Sequence, residues 1–60
     1  MNVEELTLNG KYKDHKGSAV IVNEITLTNE RLVKAFVLET GHIRYYLPEQ
    51  VKDWQRFKKD

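Results

Sequence analysis

The chain predicts a mainly β fold, a small antiparallel barrel of four to five strands with a short C-terminal helix, in one domain spanning residues 1–60. Three observations carry this expectation. Apolar residues recur at every second position in several short runs, the pattern of strands with one covered face. Turn-forming residues separate the runs at Asp14-His15-Lys16-Gly17, at Thr28-Asn29-Glu30 and at Thr40-Gly41. The single proline, Pro48, divides β-like sequence from a tail whose apolar spacing is helical.

Residues 6–13 place Leu6, Leu8 and Tyr12 at even positions, and Asn9-Gly10 interrupts them. This predicts a first strand with a bulge or kink at the glycine. Asp14 to Gly17 then form a hairpin loop, since aspartate bonds backbone two residues on and glycine takes positive φ. Residues 18–27 are the strongest strand. Ala19 to Val22 are apolar on both faces, and Ile25 and Leu27 continue on one face only. Either the strand emerges from cover into solvent, or a bulge near Asn23-Glu24 changes its phase.

Residues 31–39 form the next strand, with Leu32, Phe36 and Leu38 expected inward. In residues 42–47, Ile43, Tyr45 and Leu47 alternate with His42, Arg44 and Tyr46, and the first three are expected in the core. After Pro48, Leu47, Val51, Trp54 and Phe57 fall at helical spacing. Glu49 lies near the start, and Lys58 and Lys59 lie at the end, where they complement a helix dipole. A 3₁₀ turn followed by a final strand is the alternative for this tail. Tyr12, Val20, Val22, Ile25, Val51 and Trp54 complete the expected core.

A chain of this length hides only about 60% of its unfolded surface on folding. It contains no cysteine, so disulfides and thiolate metal sites are excluded. His15 and His42 are its only histidines and supply at most half of a tetrahedral site, so neither a metal nor a cofactor is expected. The longest apolar runs, residues 19–22 and 35–38, are far shorter than the roughly 20 residues a bilayer span needs. The acidic start, Met1-Asn2-Val3-Glu4-Glu5, lacks the basic-then-apolar pattern of a signal peptide, and a cytoplasmic protein without a membrane partner is expected. Residues 1–30 carry three basic and five acidic side chains, net −2. Residues 31–60 carry seven basic and four acidic, net +3. This bias is weaker than the basic patch of a dedicated nucleic-acid domain.

Short strands with tight loops in so small a chain resemble an SH3-like barrel. Gly10, Lys11, Tyr12, Lys16 and Gly17, with Lys13 in place of arginine, resemble the opening of a family of small bacterial and phage domains of unknown function. That opening reads Gly-Lys-Tyr-Arg-x-x-Lys-Gly. Tyr45, Tyr46, Leu47, Pro48 and Glu49 are similar to the family's later aromatic element, and the resemblance extends over residues 10–57. The chain departs from the family where a tyrosine replaces the tryptophan before the proline pair, and where a His-x-Glu turn is missing. The resemblance implies the barrel fold and a phage or mobile-element origin, and it implies no activity.

Asp14, His15 and Ser18 are the residue types of a nucleophilic relay, yet Asp14 and Ser18 are expected to bond turn backbone and His15 to point to water, so no catalytic site is expected. The expected function is a non-enzymatic binding or adaptor module acting through protein contacts. One candidate patch is His42, Arg44 and Tyr46. Trp54 and Phe57 form another, suited to a homodimer or a host protein. The alternative is nucleic-acid binding through Lys11, Lys13, Lys16 and Arg44, with nearby aromatics as stacking surfaces.

Overall fold

The computed structural model describes residues 1–26 and 32–57. The expected turn at Thr28-Asn29-Glu30, the strand ends at Leu27 and Arg31, and the terminal Lys58 and Lys59 lie outside the described residues. The chain opens with a 3₁₀ turn, Val3–Glu5. Strands β1 (Lys11–Lys13), β2 (Ala19–Thr26), β3 (Leu32–Val37) and β4 (His42–Tyr46) follow, then a one-turn helix α1 (Pro48–Val51) and strand β5 (Gln55–Arg56). The strands make one antiparallel sheet in the order β4-β3-β2-β1-β5. The path runs by hairpins from β1 out to β4, and α1 returns it to the free side of β1. No ladder joins β4 to β5 among the described residues, so they form the two edges.

Residues 6–10 do not extend β1 as expected. Leu6 is buried, and Thr7 to Gly10 form a turn in which the Gly10 N–H donates to the Thr7 carbonyl at 3.0 Å and Asn9 takes φ 65°. This turn docks on β2, where the Asn9 N–H donates to the Val22 carbonyl at 2.7 Å. Gly10 is required by space. A Cβ there would lie 2.6 Å from Thr7 Oγ1 and 2.8 Å from the Tyr12 ring. Tyr12 closes the unit, its Oη accepting the Thr7 N–H at 3.0 Å.

The expected hairpin at Asp14 to Gly17 forms, with Gly17 at φ 86°. Asp14 Oδ1 accepts the N–H groups of Lys16 and Ser18 at 2.9 and 2.8 Å. Along β2 the register passes from Val22↔Ala35 to Glu24↔Lys34, so Asn23 is a bulge. Before it, even positions face the core; after it, Ile25 does. This resolves the two expectations for the strand in favour of the bulge.

The facing of β3 and β4 is the main correction. Pairing with Val20, Val22 and Ile25 sets Val37, Ala35 and Val33 inward, and these are buried. Leu32 and Phe36 are only half-buried and Leu38 is exposed. On β4 the same register turns Tyr46 inward beside Val33, and Ile43, Tyr45 and Leu47 are exposed instead of forming core. The physical reason is space. Tyr12, Tyr46 and Trp54 already occupy the interior, with Tyr46 and Trp54 edge to face at 4.9 Å and Tyr12 and Trp54 at 6.1 Å. Small side chains fill what these rings leave, and valines at positions 20, 22, 33 and 51 are fully buried. Val3 and Leu6, outside the expected core, cover one margin.

The tail combines the two expectations, a short α-helix that is only one turn long and then a final strand. Pro48 starts a helix, but the turn tightens when the Asp53 N–H donates to Gln50 and the Trp54 N–H to Val51, and the chain enters β5. Val51 and Trp54 are buried as expected. Leu47 is exposed, and Phe57 lies past β5 rather than on a helical stripe.

Gly10→Ala and Gly41→Ala separate two reasons for glycine. Gly41 has φ 72° with open space around its missing Cβ. Its replacement is expected to cost about 1 kcal/mol in urea denaturation. Gly10→Ala is expected to cost more, about 1–3 kcal/mol, because the Tyr12 ring and Thr7 must move.

Candidate interaction surface

The sheet has one face on the core and one face outward. The outer face is built by register, with Lys11, Ile21, Phe36 and Ile43 paired in sequence across four strands. Glu24, Lys34 and Tyr45 form the next row. Phe57 joins this face at the β5 side, where Lys11 Nζ lies 4.0 Å from its ring centroid and Lys13 Nζ lies 6.0 Å away. Such contacts hold a lysine stem along apolar surface while its charge stays in water.

Four of the five large apolar side chains that are exposed among the described residues belong to β4 and its flanks, and the fifth, Leu8, lies elsewhere. Tyr45 is 64% exposed and Ile43 47%, and Leu38 and Leu47 flank them on the β3–β4 turn and just past β4. Isolated exposed leucines are ordinary, whereas a contiguous group of large apolar side chains marks a contact site. A groove of about 630 Å³ is walled by Val3, Leu6, Leu8 and Ile25 together with Glu4, Asn23 and Glu24, and of its apolar residues only Leu8 is strongly exposed.

The sequence-derived candidates separate. His42 and Arg44 are exposed, on the core-facing side of β4 opposite Val37 and Ala35. Tyr46, their expected companion, is 3% exposed and offers a partner almost no surface. Trp54 is buried against Tyr12 and Tyr46, and Phe57 is half-buried beneath Lys11. The indole Nε1 of Trp54 has no hydrogen-bond partner among the described residues. Lys11 and Lys13 stand on the outer face, Lys16 is exposed in the hairpin loop, and Arg44 lies on the opposite side of the sheet from the first two. Ile43, Tyr45, Leu38 and Leu47 were missed as surface. The available signal was that β3 carries two apolar faces, Leu32, Phe36 and Leu38 against Val33, Ala35 and Val37, and that the facing of β4 follows whichever is buried.

Asp14, His15 and Ser18 do not form a relay. Asp14 is buried; its Oδ1 is filled by backbone N–H groups, and its Oδ2 accepts the Tyr46 hydroxyl at 3.1 Å. Ser18 Oγ donates to Glu39 Oε2 at 3.3 Å, and the His15 ring stands edge-on to Tyr46 at 6.1 Å. Burial, then the charge of Asp14 and the hydrogen bond to it, push the Tyr46 phenol up from 10.0 to about 12, with Arg44 opposing. Among the described residues, no group of three or more His, Asp or Glu side chains could hold a metal ion, and no helix is long and apolar enough to cross a membrane.

No protein-family model, no curated protein and no solved structure matches this chain.

Tyr46→Phe removes one donor from a buried carboxylate and is expected to cost about 1–2 kcal/mol at neutral pH, read by urea denaturation. The phenol also predicts an alkaline dependence. Its folded pKa of about 12 exceeds the ordinary 10.0, so the folded state holds this proton more tightly. The associated stability is complete below pH 10 and declines as pH rises through 10 towards 12. Tyr46→Phe is expected to flatten that decline; an unchanged profile would assign it to other groups.

Proposed function

We propose that this protein is a non-enzymatic binding or adaptor module of SH3-like barrel type that contacts a protein partner through the outer side of the β3–β4 hairpin. The observation that carries the reading is the grouping of Leu38, Ile43, Tyr45 and Leu47, all large, apolar and exposed, on adjoining segments of a small sheet. Covering such a group supplies the apolar core of an interface, and tyrosine is enriched among residues that dominate binding energy.

The barrel reading is supported by the strand order, with α1 linking β4 to β5 and β5 returning to β1. The motif that resembles the small bacterial and phage family agrees with it in geometry. Gly10 makes room for Tyr12, and Gly17 takes positive φ in the hairpin. A phage or mobile-element origin and a cytoplasmic setting belong to the same proposal.

Nucleic-acid binding is the second reading, favoured by Lys11, Lys13 and Lys34 standing among Phe36, Tyr45 and Phe57 on the outer face. Two measurements separate the readings. Affinity capture from the cells that encode the domain is expected to recover a partner with the wild-type chain and to lose it with Ile43→Ser or Tyr45→Ser. Equal recovery by all three chains would reject this surface. Fluorescence titration with a single-stranded oligonucleotide is expected to detect no binding; affinity that falls steeply with salt would make nucleic acid the partner class.

A further inference from the structure

The exposed apolar group lies along an open sheet edge as well as on a face. β4 ends the strand order, and no described residue pairs on its far side. It offers five consecutive strand residues, whereas the opposite edge, β5, offers two. Natural edges are blunted by bulges, prolines, short length or charge. The bulge here lies in β2, and Pro48 comes only after β4 has ended. The one blunting device left is charge. His42 and Arg44 are the ionisable side chains other than tyrosine on β4, both are basic, and both are exposed.

That charge selects among strands. In an antiparallel pair, residues directly opposite share a face. A second copy of β4, laid alongside with its outer face aligned, would place Arg44 opposite Arg44 or opposite His42. Both registers set base against base, which is unfavourable; the shifted register with Arg44 opposite Tyr46 pairs only three β4 residues and brings Pro48 against His42. A strand with carboxylates at the same positions reverses the sign. Its intervening residues would fall beside Ile43 and Tyr45, where apolar side chains would extend the rows that run from Ile21 through Phe36 and from Lys34.

We infer that the partner binds as an added strand along β4, in an extended segment that alternates acidic residues facing His42 and Arg44 with apolar residues facing Ile43 and Tyr45. This rests on the reading of the β3–β4 surface as a protein-binding site and specifies how that site is used. Backbone hydrogen bonds to the open edge hold the segment, and the alternating side chains choose it.

The test uses the full chain labelled with ¹⁵N and a synthetic peptide of about seven residues alternating valine and glutamate. The expected result is slowed hydrogen exchange at β4 amides when the peptide is added. A valine–lysine peptide is expected to bind about tenfold more weakly, from replacing attractive cross-strand pairs by repulsive ones. Arg44→Glu is expected to shift the preference towards the lysine peptide. Backbone N-methylation at the alternate positions facing the edge is expected to abolish binding.

Absence of β4 protection, or equal binding by the N-methylated peptide, overturns strand addition. If Ile43→Ser and Tyr45→Ser nevertheless lose a captured partner, the surface reading survives that failure; unchanged capture with no β4 protection ends both. Protection that grows with protein concentration alone identifies a second copy as the occupant, and protection by a single-stranded oligonucleotide identifies nucleic acid; either overturns the inference.

Discussion

The hydrogen bond from Tyr46 to Asp14 joins two parts of the chain that are 32 positions apart, and it requires Tyr46 to face the interior. Asp14 accepts two backbone N–H groups through one oxygen and the phenol through the other. A buried carboxylate with fewer donors would carry a large desolvation cost. The β1–β2 loop and the end of β4 are therefore tied to each other through the interior. With Tyr46 turned inward to reach Asp14, alternation sends Tyr45 and Ile43 out. The same bond that completes the interior thus exposes the side chains offered to a partner.

Much of the architecture was legible in the sequence because backbone geometry leaves local marks. The positive φ of Gly17 and Gly41, the aspartate that organises its own turn, and the proline that opens α1 all announce themselves by residue type. The facing of β3 and β4 was not legible in the same way. Leu32, Phe36 and Leu38 are more apolar than Val33, Ala35 and Val37, yet the smaller set is inside. Hydrophobicity ranks the cost of exposure, whereas a small interior crowded by three aromatic rings ranks by volume. Nothing local to β3 says how much room Tyr12, Tyr46 and Trp54 leave. The helical stripe failed for a related reason: Val51 ends α1 and Trp54 is buried in the connection to β5, and that arrangement leaves the same sequence spacing as one longer helix.

The candidate surface inherits this ambiguity. His42, Arg44 and Tyr46 looked like a patch because polar residues are expected outside, and two of the three are. Ile43 and Tyr45 looked like core because their chemistry suits either a core or an interface. Their destination is set by the register with Phe36 and Lys34, which is a property of the pair of strands. Lys11 and Lys13 show the converse, lying over Phe57 so that formal charge and apolar cover come from the same residues.

The bulge at Asn23 divides β2 into two halves that obey opposite rules. In the first half the protein reads even positions as interior, through Val20 and Val22; in the second it reads an odd one, through Ile25. Sequences that share this fold should therefore reverse the phase of their tolerated variation at one residue. Loss of that residue would not shorten the strand so much as exchange the inside and outside of everything after it.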